Sequence, residues 1–468
     1  MRTFDFALVQ HRLADERLFR RLRPWAVVAG VLAVALALPQ VVAADKLMLA
    51  TMGLGGLGAV LVFLRRPPLG LIVLLLVALT LPSPPLPGGL NVPVLLLALL
   101  VVLWLVDMIV LRKEMRFVHS RPLRPLLTFT VIVLLSFVIG QLPWFSQAQH
   151  APMSAQIGGL LIFVLSTGAF LLAAHQFHDL RWLRWFTWLF VCVGYIHVMG
   201  WFVPGIGGIT AKIIRFGVID NAIYWTWLVA LAFSQAWLNR DLPWFWRLVF
   251  AFITVTTLYV GFVLNRDWKS GYLPAIAAVA TIVAARSWRV GLVMALIGVA
   301  PALYLITDAV GSDQYSYSTR VDALVIVLHM STVSPLLGFG PANYYWYTPI
   351  YRIRGWAVKF NSHNQYADIV AQVGVIGLLC FIWFAVEMGV LAWRLRLEAA
   401  PGFNQAYVYG VIGGLVGTLV AGVLVDWIIP FVYNLGMYGF RGSMLGWIFL
   451  GGLLSVEFVT RQGVGREA

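Results

Sequence analysis

Long apolar runs alternate with short polar connections over nearly the whole chain. Trp25–Ala44, Val92–Leu111, Gly158–Ala174 and Val411–Val425 are representative runs. A helix of about 20 apolar residues crosses a hydrocarbon core of about 30 Å, and the helices of a soluble core are shorter. The pattern therefore predicts an all-α fold, a polytopic transmembrane helix bundle of about 14 spans within a range of 12–14. The expected spans are 25–44, 47–64, 69–82, 91–111, 125–142, 154–174, 185–203, 218–238, 247–264, 271–285, 290–307, 366–391, 407–430 and 442–459. The third is short and runs into the proline-rich Leu81–Pro87, which suits a hairpin or a broken helix.

The connections give the bundle a direction. Arg65 and Arg66, the stretch Arg112 to Arg124, Arg181 and Arg184, Arg240, Arg286 and Arg289, Arg394 and Arg396, then Arg461 and Arg466 occupy alternate connections, whereas Trp144–Pro152 on the opposite side has no basic residue. Basic residues collect in cytoplasmic loops, so both termini are expected inside. The organisation read from this is a basic cytoplasmic segment 1–24, a transmembrane bundle 25–307, a long periplasmic loop 308–365, C-terminal transmembrane helices 366–459 and a cytoplasmic tail 460–468. The lead-in Met1–Arg23 is polar and basic, no cleavage pattern follows the first run, and it has the character of a surface-lying helix.

Composition narrows the function. Only 11% of residues are charged and 61% are hydrophobic, against about 25% charged in soluble domains. The formal charge of +14 sits mostly in the short connections, which removes nucleic acid as a partner. Cys192 and Cys380, the two cysteines, lie in apolar runs without metal-ligand spacing and are expected to pack.

Several cations depart from the alternation. Lys212 and Arg215, Arg266 and Lys269, then Arg320, Arg352, Arg354 and Lys359 all fall on the expected outer side, and as a set they read as an outward-facing anion site. The stretch Asp308–Gln365 is the one long non-membrane segment; within it Val321–Met330 suits an amphipathic or re-entrant helix. The aromatic Tyr344-Tyr345-Trp346-Tyr347 suits sugar stacking and a membrane interface equally. His363, in Asn361-Ser362-His363-Asn364-Gln365-Tyr366, directly precedes a span. Asp426 is expected at the outer end of span thirteen beside an outer arginine, and Asp368 beside His363 as its orienting group.

The order Leu337-Gly338-Phe339-Gly340-Pro341-Ala342-Asn343-Tyr344, a spacer, Ser362-His363-Asn364-Gln365-Tyr366 and Gly374-Val375-Ile376-Gly377-Leu378, with Ser318-Thr319-Arg320 upstream, resembles the O-antigen ligase and O-antigen polymerase superfamily. The resemblance covers roughly residues 200–400. It implies a membrane glycosyltransferase of GT-C-like architecture in the bacterial inner (plasma) membrane, with a periplasmic site, no metal and no cofactor. Its partners would be a polyprenyl (undecaprenyl) diphosphate-linked glycan as donor, and lipid A core or another glycan chain as acceptor, within lipopolysaccharide or polysaccharide biosynthesis. By the resemblance His363 assists transfer and Arg215 is the first of two outer diphosphate-binding cations. For the second, the family's Ser-Arg-Gly-like stretch is here Asn265-Arg266-Asp267-Trp268-Lys269-Ser270-Gly271, so either Arg266 or Lys269 takes the role. Lys269, Arg320, Lys212, Asn364 and Tyr344 are the expected substrate-binding residues. About twelve spans are common in the family, so two extra at the N-terminal end are a departure.

The chemistry agrees with the resemblance. Cleaving a sugar–diphosphate bond builds negative charge on the leaving group, and a cation fixed there lowers the barrier; one such donor is worth about 3 kcal/mol. Arginine binds phosphate oxygens bidentately and stays charged. Neither a glycosidase-like carboxylate pair nor an acidic metal motif stands in the outer connections. The expectation is direct, inverting attack by an acceptor hydroxyl. The rival readings are a flippase of lipid-linked oligosaccharides, which shares a cationic cavity but needs no histidine beside it, a peptidoglycan-type polymerase, which needs an outer acid, and a scaffolding membrane protein.

Overall fold

A computed structural model describes residues 56, 58–81, 90–213, 219–297, 307, 311 and 314–467. The chain divides into two units, Met1–Arg65 and Arg66–Ala468. Of the first, residues 56 and 58–65 are described and helical; the expected lead-in 1–24 and span 25–44 lie outside the described residues, as does most of 298–313.

The described part of the second unit is built of helices joined by turns. In chain order it contains α1 (Pro67–Thr80), α2 (Val92–Val106, continued by a π turn Asp107–Leu111), α3 (Leu123–Ile139), α4 (Met153–Gln176), α5 (Leu180–Met199), α6 (Pro204–Ile213), α7 (Ala222–Leu238), α8 (Trp244–Tyr259, continued by a π turn Val260–Leu264) and α9 (Lys269–Arg286). After α10 (Trp288–Ile297) come α11 (Gln314–Ser331), the short α12 (Tyr344–Tyr347), α13 (Gln365–Glu398), α14 (Phe403–Leu424) and α15 (Gly436–Glu467). Seven of the described helices are long and apolar enough to cross a membrane, and α1, α3, α7 and α10 are shorter apolar helices. This is a multi-pass, all-helical membrane protein.

Burial sorts the helices into layers. The apolar window of α15 is 89% buried and that of α4 78%, while α2 buries 28% and α8 33%. An apolar helix covered on all sides is central, and one covered on a single face lies against lipid. Small residues bring α14 close to its neighbours: a side chain at Gly413 would meet the Ala278 carbonyl of α9, and one at Gly417 would meet Thr226 of α7.

Asparagines start three of the helices at one end of the bundle. Asn91 accepts from the Val94 amide, Asn221 from Ile223, and Asn364 from Tyr366 and Ala367, each satisfying amides that a helix start leaves open. Their Nδ2 groups donate to the carbonyls of Met437, Gly439 and Val423 respectively. One short segment, the end of α14 through the start of α15, thus ties three helix starts together. At the same end the fully buried Arg441 of α15 donates to the Val77, Ala78 and Leu81 carbonyls that close α1. Arg441→Met removes the donor from all three, and is expected to cost about 3 kcal/mol and to lower the thermal midpoint in detergent; an unchanged midpoint would refute the clamp.

The opposite end is basic. Glu457 of α15 is buried and accepts from Ser120, Arg394 and Arg461, and Arg121 pairs with Glu387 at 2.9 Å. Asp107 pairs with Arg112 at 2.8 Å, so Asp107 and Glu387 serve contacts at this basic end. The contacts therefore gather the expected cytoplasmic connections at one end and the candidate residues at the other.

Two sequence expectations change. The stretch 308–365 is not an open loop: its described part holds α11, α12 and a β-bridge between Ile353 and Trp356. The helix within it, Gln314–Ser331, is longer than Val321–Met330. Span thirteen ends at Leu424 rather than at residue 430, because Val425–Leu435 leaves the helix as a turn-rich segment. Its apolar composition, read as membrane span, is instead buried against α12: Phe431 stacks on Tyr344 with centroids 4.8 Å apart.

Candidate active site

The two glycine motifs meet at a break in α13. Gly374 has φ 73° and ψ −179° inside an otherwise continuous helix, which interrupts the backbone ladder. The loop Ser334–Pro341 repairs it from both directions. Phe339 and Gly340 donate to the freed carbonyls of Ala371 and Gln372, and Val375 and Ile376 donate to the carbonyls of Pro335 and Leu336. Ser136 of α3 adds to the lock, its hydroxyl 2.6 Å from both Gln372 O and the neighbouring Leu337 O. Asn343 secures the loop to the bundle by donating to Gly140 and Phe339 and accepting from the Ala151 amide. Irregular backbone at membrane depth is tolerated where protein satisfies it, and here the satisfaction is reciprocal.

This lock carries the segment that presents His363. Ser362 is buried; its hydroxyl donates to Asp368 Oδ1 at 2.7 Å, and Tyr344 donates its phenol to the same oxygen. The Ser362 oxygen also accepts from the Asn364 amide at 3.1 Å. His363 itself has φ 50°, in the left-handed region, because its neighbours on both sides are pinned. The ring bonds to no other described residue and opens onto a cavity of about 290 Å³ with Tyr315, Thr319, Arg320, Phe360 and Asn361 in its walls. Burial, and secondly the positive charge of Arg320, lower the pKa of His363 to about 4, so at neutral pH it is an uncharged imidazole able to accept a proton.

The other candidates separate into groups. Arg320 of α11 is exposed and shares the cavity with His363. Arg266 is exposed beside Asp267, and Lys269 opens α9. Trp268 between them lies 5.5 Å from the Trp427 ring; the adjacent Asp426 accepts from Asn361, in the cavity wall, at 3.4 Å. The start of α9 and the His363 cavity therefore flank the same segment, Val425–Leu435. Arg352 is exposed, Arg354 pairs with Asp322 at 2.9 Å, and Lys359 lies 3.0 Å over the Trp346 ring. Lys212 lies in the last turn of α6, and Arg215 falls outside the described residues.

Tyr344 and Asn364 sit differently from expectation. Tyr344 is fully buried, its phenol held by Asp368 and raised well above the ordinary tyrosine pKa, first by burial and next by the nearby Asp368 charge; it supports the site from beneath. Asn364 uses its side chain to cap α13 and reach Val423. The rest of the aromatic run is packed too: Tyr345 stacks on Tyr433 at 4.4 Å, and Tyr347 contacts Phe145 and His150. Asp368 orients Ser362 and Tyr344 rather than the His363 ring. Asp426 takes Asn361 and Asn434 in place of an arginine, and burial raises its pKa.

Residues 226–382 match the family model described as O-Antigen ligase. The match runs from α7 into α13, and so bears out the resemblance read from the two glycine motifs and Ser362-His363-Asn364. It includes Arg266, Lys269, Arg320 and His363, and it begins beyond Lys212 and Arg215. No curated protein matches the chain. Sequence reasoning quoted Ser362 and Asn343 only as parts of the motifs, without a role, and passed over Asn91, Asn221 and Arg441; an asparagine directly before an apolar run is a helix-start signal that would have found Asn91 and Asn221.

The segment that matches the family model yields a test of its electrostatics. With His363 at about 4, activity that needs the neutral ring should persist well below pH 6.5 and fall only as pH approaches 4. Arg320→Gln removes one of the two causes holding the ring neutral, so the acid limb of the pH–rate profile should move upward, stopping short of 6.5 because burial remains. A profile unmoved by the substitution would show that Arg320 does not act on His363.

Proposed function

We propose that the chain is a membrane glycosyltransferase of the O-antigen ligase or polymerase type. It moves a glycan from a polyprenyl (undecaprenyl) diphosphate carrier to a hydroxyl on lipid A core or on another glycan chain. The observation that carries the reading is an uncharged His363 sharing one open cavity with Arg320, inside the segment that matches O-Antigen ligase.

In this reading the acceptor hydroxyl attacks the anomeric carbon from the face opposite the phosphate, inverting it. The new bond is carbon to acceptor oxygen; the bond that breaks is carbon to phosphate oxygen. The hydroxyl proton passes to a ring nitrogen of His363, and the electron pair leaves on polyprenyl diphosphate. Arg320, Arg215 and either Arg266 or Lys269 offset the growing negative charge, which fixed cations do at little reorganisation cost. The site faces the periplasm, the basic end faces the cytoplasm as loop charges dictate, and the reaction needs no metal.

The test is reconstitution in liposomes with a polyprenyl-diphosphate glycan and candidate acceptors, following both transfer product and freed polyprenyl diphosphate. Wild type should yield both in equal amounts, and Arg215→Ala should yield neither beyond about a hundredth of that rate. Movement of the lipid across the bilayer without product would replace this reading by a flippase.

A further inference from the structure

Near the basic end of the bundle, remote from His363, α5 and α8 enclose a groove of about 310 Å³ between them. Its walls include Trp185, Trp188, Cys192, Leu242, Trp246 and Phe250, almost wholly apolar. Trp185 and Trp246 are themselves half exposed, at 57% and 48%, so the groove opens sideways from the bundle. The residues lie in the first half of α5 and in the first two turns of α8 with the residue Leu242 before it, and a chain entering there would extend inward from the bundle's end.

The rim is cationic. Arg184 stands one turn before Trp188, its guanidinium carbon 5.8 Å from that ring and 5.3 Å from Phe403. Its Nε is buried and has no hydrogen-bond partner. Arg240 is exposed two residues before Leu242. Neither makes a direct ion pair with a carboxylate among the described residues: Asp179, whose charge Arg184 also feels, is held by Arg181 at 2.9 Å, and Arg247 is spent on the Ala236 and Trp237 carbonyls. We infer that this groove is a binding site for an anionic phospholipid, with an acyl chain between α5 and α8 and the phosphate at Arg184 and Arg240. An apolar groove alone accepts any lipid tail; two guanidiniums at its rim that no carboxylate pairs directly select for negative charge. The inference stands independently of the transferase reading.

The probes are two phospholipids with the same photoactivatable acyl chain, one a phosphatidylglycerol and one a phosphatidylcholine. The full chain is placed in phosphatidylcholine nanodiscs, and cross-links are mapped by peptide mass spectrometry. The glycerol probe should label the α5 and α8 walls at least about fivefold more than the choline probe, the ratio that about 1 kcal/mol from one surface arginine gives on its own. Arg184→Gln and Arg240→Gln should each reduce the preference and together erase it. Should Arg184→Gln fail to insert, Arg240→Gln, altering an exposed side chain, reads the same preference. Equal labelling by both probes in wild type overturns the inference, as does a preference that survives substitution of Arg240.

Discussion

His363→Ala should lower glycan transfer by roughly 10²–10⁴-fold, the usual worth of a positioned general base, while the protein still inserts and still binds its lipid-linked donor. The expectation rests on geometry first. The ring opens onto the cavity shared with Arg320, makes no bond that would occupy its nitrogens, and is uncharged at neutral pH. The φ of 50° complicates a simple alanine test, since alanine disfavours the left-handed region and a lost activity could then reflect a moved backbone. His363→Asn separates the two effects, because asparagine tolerates that region but carries no basic nitrogen. Both variants should be equally impaired in kcat, with donor KM nearly unchanged, in the reconstituted assay. Substantial activity in His363→Asn would reduce the histidine to a backbone role and leave the acceptor proton to another group.

Gly374→Val is expected to abolish the folded state, or to destabilise it by more than about 3 kcal/mol. Two independent obstacles add. The backbone at φ 73° and ψ −179° is open essentially to glycine alone. A Cβ there would also lie 2.1 Å from the Leu336 carbonyl oxygen, within the contact that joins the loop to the helix break. Relief of either obstacle requires separating Val375 and Ile376 from Pro335 and Leu336, which leaves buried amides unpaired. Fluorescence-detected size exclusion and thermal unfolding in detergent would report it. Gly389→Ala, on the same helix but with only Leu415 nearby at 3.9 Å, should behave as wild type. A stable Gly374→Val with normal elution would mean that the break is not required.

What the sequence revealed follows from which signals are local. Apolar run length and loop charge each act residue by residue, so most of the described helices fall within the runs that were read, and Arg121, Arg394 and Arg461 gather at one end as their alternation implied. The glycine motifs marked the right places, but their relation was hidden. The apolar pattern runs through Gly374 without a gap, and nothing in a linear reading says that Gly338 and Gly374 touch. The aromatic run was misread for a related reason: Tyr344 finds its cover in Phe431, far along the chain in a stretch whose composition imitates a membrane span. The role of Ser362 was hidden, although the motif includes it, because that role comes from Asp368 and Tyr344 folding beneath it.

The asparagine caps have a consequence for the order in which the bundle is completed. Asn91 and Asn221 precede α15 in the chain by hundreds of residues, yet the carbonyls that receive their amides, Met437 and Gly439, belong to its first turn. Arg441, which closes α1, comes from the next turn. During synthesis these early helices insert with open polar ends, and they stay open until α15 emerges. The segment that presents His363 is anchored to the same neighbourhood through Asn364 and Val423. In an incomplete chain the starts of α2 and α7 and the end of α1 therefore lack these partners until the helix that buries itself deepest arrives.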